Sequence, residues 1–186
     1  MKKLLLVVII TVLGLTQSAN AQEVDFGVKF GLNVANLSGG DADRNNLFTV
    51  HAGIVTEFKI SDKFSVQPEL LFSRQGSEVQ DTYKIELEYM SFPLLAKYYL
   101  YEKLSVEAGP QFNFLAKDRI KSLDRDIPGD DDTEASSFDF GVNIGFAYDI
   151  TNHLFAQVRY NHGISTVIED PDVRNNVFQL SLGYKF

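Results

Sequence analysis

The sequence predicts an all-β fold: one eight-stranded, antiparallel, transmembrane up-and-down β-barrel. Three observations carry that prediction. Apolar and polar residues alternate with a period of two through eight segments, which is strand and not helix periodicity. Long polar loops and short turns join the segments alternately. The chain ends on an amphipathic strand whose last residue, Phe186, is aromatic.

The first 21 residues are set apart from this pattern. Lys2 and Lys3 form a positive start, residues 4–15 an apolar run, and Ala19-Asn20-Ala21 a small-x-small cleavage site before Gln22. Residues 1–21 therefore read as a secretory signal peptide, with residues 22–186 as one barrel domain. Removing the signal takes two of the 17 basic residues and none of the 25 acidic ones, leaving a formal charge of −10. That sign disfavours a nucleic-acid partner. The chain has no Cys, so disulfides play no part in its stability. No later apolar run approaches the roughly 18 residues of a helical span, but alternating strands escape a hydropathy window.

Each strand can be justified in order. The first alternates Phe26, Val28, Phe30, Leu32 and Val34 against Gly27, Lys29, Gly31, Asn33 and Ala35, and a Gly-rich tract at 38–46 ends it. The second, 48–60, alternates through Phe48, Val50, Ile54 and Phe58 to the turn Ser61-Asp62-Lys63. Phe64, Val66, Leu70 and Phe72 mark the third, with a loop expected around 76–82. In the fourth, apolar residues sit on odd numbers from Tyr83 to Tyr89 and on even numbers from Phe92 to Tyr98, which predicts a β-bulge near Met90 and Ser91. Tyr101-Glu102-Lys103 turns into the fifth, 104–115, followed by an unpatterned, charged tract at 116–136. The sixth covers 138–149, Thr151-Asn152-His153 turns into the seventh at 154–163, and the eighth closes the set at 175–186.

Volume decides which face points inward. An eight-stranded barrel has an interior just wide enough to be filled by side chains. Most of the fifteen Phe lie on the apolar face and would overfill it, whereas the other face mixes glycines with long polar chains. The aromatics are therefore assigned to lipid. The lumen then receives Lys29, Lys59, Lys97, Arg159 and Lys185 with Glu57, Glu69, Glu107, Asp139 and Asp149, five cations and five anions. Buried charges are tolerable only when paired. The balance predicts a charge ladder, supported by Gln67, Gln111, Asn113, Asn143, Gln157 and Gln179, that plugs the barrel. Tyr83, Tyr98, Tyr148, Tyr160 and Tyr184 are expected to form interfacial girdles.

Other chemistry is thinly signalled. The acidic tract 117–134 fails the EF-hand pattern, with Pro128 where a ligand is wanted, and reads as a solvated loop. His51, His153 and His162 show no metal-ligand spacing. His162 with Ser165 and Glu169 matches no hydrolase motif. No cofactor site is expected.

The segments FGVKFGLNVANL, KISDKFSVQPELLFSRQG, YMSFPLLAKYY and EAGPQF, with the final LGYKF, together resemble the PorT-like outer-membrane β-barrel family of Bacteroidetes. The resemblance spans the mature chain and implies an OmpA/OmpX-like size. It implies an outer-membrane location, with long loops extracellular and both termini periplasmic. Its implied partners are outer-membrane lipid and lipopolysaccharide, the barrel-assembly machinery reading Tyr184 and Phe186, and components of type IX secretion. It carries no catalytic signature, so a non-enzymatic structural or interaction role is expected, with a narrow channel and a lipid-modifying enzyme as alternatives. Pro68, Pro93 and Pro110 match family positions and are expected at bulges or strand ends.

Overall fold

The computed structural model describes residues 23–39, 44–79, 83–122, 130–131, 135–168 and 172–186. Residues 1–21, expected to be a signal peptide cleaved at Ala19-Asn20-Ala21, lie outside the described residues. Eight strands form the wall: β1 (Val24–Ser38), β2 (Arg44–Ser61), β3 (Phe64–Val79), β4 (Tyr83–Tyr101), β5 (Leu104–Ser122), β6 (Phe138–Asp149), β7 (Leu154–Gly163) and β8 (Arg174–Lys185). Each pairs antiparallel with the next, and β8 returns to β1 from Gly27↔Lys185 to Ser38↔Arg174. Closure leaves the membrane wall without an edge, so the backbone satisfies itself inside the sheet. The terminal residue takes part: the Phe186 amide donates to the Phe26 carbonyl at 2.8 Å.

The two faces separate as volume requires. Phe26, Phe30, Phe146 and Leu180 lie on the outer surface, while Lys29, Asn33, Glu107 and Arg159 are buried. Outward rings touch across strands, Phe92 on Phe114 at 5.7 Å and Phe114 on Phe138 at 5.5 Å, as lipid-facing aromatics should. Tyr98, Tyr148 and Tyr184 face outward near the short turns, and Tyr160 near the opposite end. Tyr83 instead stands at the tip of β4, opposite Val79.

The structure corrects three expectations. The first concerns the bulge near Met90 and Ser91. β4 keeps one register against β3 from Phe64↔Tyr98 to Val79↔Tyr83, so it holds no extra residue. Its odd-numbered residues face inward from Leu87 to Lys97, and Leu87 and Tyr89 are buried because the lumen is apolar at the end where the long strands rise. The irregularity lies on β5, where Glu88 faces Lys117 but Tyr89 faces Leu115, leaving Ala116 as the extra residue.

The second is strand length. β3 does not stop at Gly76 but passes through it with φ at 135°, a conformation open to glycine, where the Ile85 carbonyl comes close. β5 likewise continues to Ser122, and the two-residue strand Asp130–Asp131 pairs back onto Lys121 and Ile120. β2 to β5, with 18, 16, 19 and 19 residues, exceed the roughly 9–11 that cross a bilayer, whereas β6 to β8, with 12, 10 and 12, stay close to it. One side of the barrel is a tall wall.

Third, Pro68, Pro93 and Pro110 sit mid-strand. Pairing lapses beside each, between Val55↔Glu69 and Phe58↔Val66, between Pro68↔Leu94 and Leu71↔Ser91, and between Pro93↔Gln111 and Ala96↔Ala108. The register on the two sides of each gap is the same, so these are interruptions and not bulges. A missing N–H removes a ladder bond without shifting the strand.

Candidate functional site: the lumen

Alternation turns every second residue of each strand into the barrel, and the resulting side chains form a continuous buried network. Glu69 lies at its centre. Its carboxylate takes a fork from Arg159, with Nη1 at 2.9 Å and Nη2 at 2.7 Å, and a third cation contact from Lys29 Nζ at 2.8 Å. Arg159 Nε also donates to Glu107 at 2.9 Å, which the Gln157 amide reaches at 2.8 Å. Lys29 closes this ring by donating to Gln157 Oε1 at 2.7 Å. Planar Arg–carboxylate pairing of this kind fixes orientation as well as charge.

Toward the short turns, Gln67 links the ring to a second centre, donating to Glu69 at 2.6 Å and accepting from Lys97 Nζ at 3.1 Å. Lys97 and Lys185 hold Glu57 at 3.1 and 2.9 Å. Ser65 donates to the same carboxylate at 2.6 Å, as does the Tyr99 hydroxyl. Lys185 also reaches Asp149 at 3.2 Å. This end opens as a vestibule of about 790 Å³ between the short turns.

Toward the long loops the chemistry changes to amides. His51 is buried between Asn33 Oδ1 at 2.7 Å and Ser181 Oγ at 2.8 Å, and Gln179 donates to the same Asn33 oxygen at 3.0 Å. Asp139 accepts from Asn113 Nδ2 at 3.0 Å and from Ser165 Oγ at 2.7 Å. Above it, Leu37, Leu87, Tyr89, Val167 and Val173 form an apolar cluster. Backbone bonds hold Val167 and Val173 there, with the Val167 amide on the Val173 carbonyl at 2.7 Å and the Ser136 amide on the Val167 carbonyl at 2.7 Å. Val167 and Val173, from between β7 and β8, thus cap this end of the lumen.

Of the ten charges that alternation assigns to the lumen, Lys29, Lys97, Arg159, Lys185, Glu57, Glu69, Glu107 and Asp149 join the network. Lys59 does not. It sits at the rim with a third of its side chain exposed, paired with Glu23 at 2.9 Å and Asp25 at 3.3 Å. Asp139 is buried, but among the described residues its hydrogen-bond partners are neutral. The lumen also holds apolar residues that the polar pattern does not mark: Val55, Leu95 and Phe155. Phe155 covers Gly183, where an added Cβ would meet its ring at 2.1 Å, so an aromatic on one strand fills the space a glycine leaves on the next.

The remaining candidates are dispersed. His153 stacks on Tyr184 at 5.6 Å, and His162 Nδ1 lies 2.7 Å from Asn176 Oδ1. Ser165 is bound to Asp139 and not to His162, and Glu169 lies outside the described residues. No cluster of three metal-ligating residues occurs among the described residues. Most of the acidic tract 117–134, including 123–129 and 132–134, lies outside them.

Residues 17–169 match the family model described as outer membrane protein beta-barrel domain. Among solved structures, Neisserial surface protein A is similar with a TM-score of 0.61 and 16% identity, over 89% of this chain and all of that one. The attachment invasion locus protein Ail of Yersinia pestis, solved with the heparin analogue sucrose octasulfate, is similar with a TM-score of 0.57 and 14% identity, over 88% and 99% of the two chains. At these identities the likeness concerns the fold. No curated protein matches the sequence.

Proposed function

Because the chain belongs to the outer membrane protein beta-barrel domain family, we propose that it acts as a closed outer-membrane barrel with a non-enzymatic structural or interaction role. The occupied lumen carries this reading. A chain of contacts from Lys185 through Glu57, Lys97, Gln67, Glu69 and Arg159 to Glu107 crosses the interior, and the apolar cap lies over its outer end. An ion moving through would have to break charge-assisted bonds among buried groups, where each is hardest to replace. What remains for interaction is the tall wall of β2 to β5 with its loops, together with the vestibule between the short turns.

Planar-bilayer recording tests the closed state: insertion without unitary conductance is the expected result, and discrete conductance steps would replace this reading with that of a narrow channel. The PorT-like resemblance extends the proposal to an accessory role in type IX secretion. Copurification from detergent-solubilised envelopes with secretion components is expected on that view. Purification alone, under conditions that preserve the secretion machine, would remove it. An unchanged envelope lipid profile after His162→Ala is expected for a non-enzymatic barrel, and an altered profile would favour the lipid-modifying alternative.

A further inference from the structure

We propose that the outer half of the lumen holds a monovalent alkali cation at Asp139. The argument begins with charge. The inner network balances Lys29, Lys97, Arg159 and Lys185 against Glu57, Glu69, Glu107 and Asp149 through direct contacts. The fifth cation on the lumen phase, Lys59, is held at the rim by Glu23 and Asp25. Asp139 is therefore a fully buried carboxylate without a cationic partner among the described residues. Such a charge is strongly unfavourable unless something compensates it.

Burial opposes the ionised form of Asp139, but the hydrogen bonds around it are those of a carboxylate. Asn161 donates to Asn143, Asn143 to Gln111, Gln111 to Asn113, and Asn113 to Asp139, at 3.0, 3.1, 2.8 and 3.0 Å. Four amides are thus aligned so that each presents a donor toward the carboxylate. The Ser165 hydroxyl donates to it as well, while accepting from the Phe140 amide at 2.7 Å. These contacts supply donors to a carboxylate, Asn113 presenting its amide NH2 and not its oxygen.

The same region contains oxygens with no partner. Tyr89 Oη, Ser91 Oγ, Asn161 Oδ1 and Asn175 Oδ1 are buried and make no hydrogen bond, and the four residues are each 0% exposed. Ser91, Asn113 and Asp139 form one row across β4, β5 and β6. Asn161 Oδ1 lies over Gly141, the next inward residue after Asp139, at 2.9 Å from where a Cβ would be. Tyr89 is the next inward residue of β4 beyond Ser91, and Asn175 donates to Gln75 Oε1 across the lumen. A single carboxylate with neutral amide and hydroxyl oxygens is a hard, singly charged donor set, suited to sodium or potassium and not to a transition metal. The cation would satisfy the charge and the orphan oxygens together.

The test uses the full barrel refolded in detergent, with sodium or potassium chloride exchanged for N-methyl-D-glucamine chloride at equal ionic strength. The heat-induced shift in gel mobility should occur about 5 °C higher with the alkali salt. Asp139→Asn should abolish the difference. Equal midpoints in all three salts, or a difference that survives Asp139→Asn, would overturn the proposal. If that variant does not refold, the wild-type barrel still decides the matter: titrating potassium chloride should move the side-chain amide NMR signals of Asn113, Asn161 and Asn175 saturably. Unmoved signals would mean that water alone fills the site. Neither readout depends on whether the barrel conducts.

Discussion

Glu69 accepts contacts from two cations and an amide in a fully buried space, so its loss leaves Lys29 without a carboxylate and Arg159 with Glu107 alone. Glu69→Ala should destabilise the barrel by about 3–5 kcal/mol, read as a lower urea midpoint for unfolding in detergent. Replacing Lys29, Glu69, Glu107 and Arg159 together by Met, Leu, Leu and Met should recover much of that loss, since no unpaired charge remains. A quadruple variant as weak as the single one would show that these charges are individually needed. Gly183 makes a complementary case, because Phe155 already occupies the volume beside it. Gly183→Val should cost about 1–3 kcal/mol by overpacking, and combining it with Phe155→Ala should return part of the stability in the same urea assay. At this scale the sequence was legible wherever a charged residue fell on the alternating polar phase, as Lys29, Glu57 and Arg159 do. Phe155 and Val55 were not legible, because their inward direction follows from the volume left by glycines and small residues on other strands. Lys59 has the inward phase, but its height at the rim depends on the register with β1 and its acidic start.

Among the elements, β4 shows where alternation misleads. Its odd residues point inward from Leu87 to Lys97, yet they change from polar Lys97 and Ser91 to apolar Tyr89 and Leu87 toward the tip of the strand. Outside the bilayer the polar face turns to water and the apolar face inward, so the hydrophobic phase inverts with no change in the backbone. A pattern reader sees a slip there, because sequence alone does not mark where lipid ends. The inverted stretch supports the cap: Leu87 and Tyr89 pack with Leu37, Val167 and Val173. Leu87→Ala should remove about 2–4 kcal/mol of local packing. Limited proteolysis should then cut faster between Ile164 and Val173, while the heat-modifiable mobility of the barrel stays unchanged. Equal cleavage rates in variant and wild type would mean that backbone bonds alone hold the cap. The three proline gaps are a separate property of β3 to β5. They escape sequence reading because Pro68, Pro93 and Pro110 keep strand geometry and lose only a donor.

For the whole molecule, strand heights define two unlike ends. The turns at Asp62–Lys63 and Glu102–Lys103, the turn at 151–153, and both described termini gather at one end, where the Lys59 amide donates to Glu23 and the Lys185 amide to His153. The long strands β2 to β5 rise at the other, beyond the ring where β5 and β6 part at Phe114↔Phe138. A strand must cross the bilayer in about 9–11 residues, so the surplus of β4 and β5 has to stand in water on the tall side. We expect that side to face the exterior and the short turns the periplasm. The absence of cysteine makes the test direct, since any introduced thiol is the protein's own only one. Glu78→Cys, near the tip of β3, should react with a membrane-impermeant maleimide on intact cells, and Asp62→Cys, in a short turn, only after the outer membrane is permeabilised. Both side chains lie at least partly exposed, so access and not burial controls labelling. Labelling of Asp62→Cys on intact cells, with Glu78→Cys protected, would invert the barrel and place the tall wall and its cap toward the periplasm.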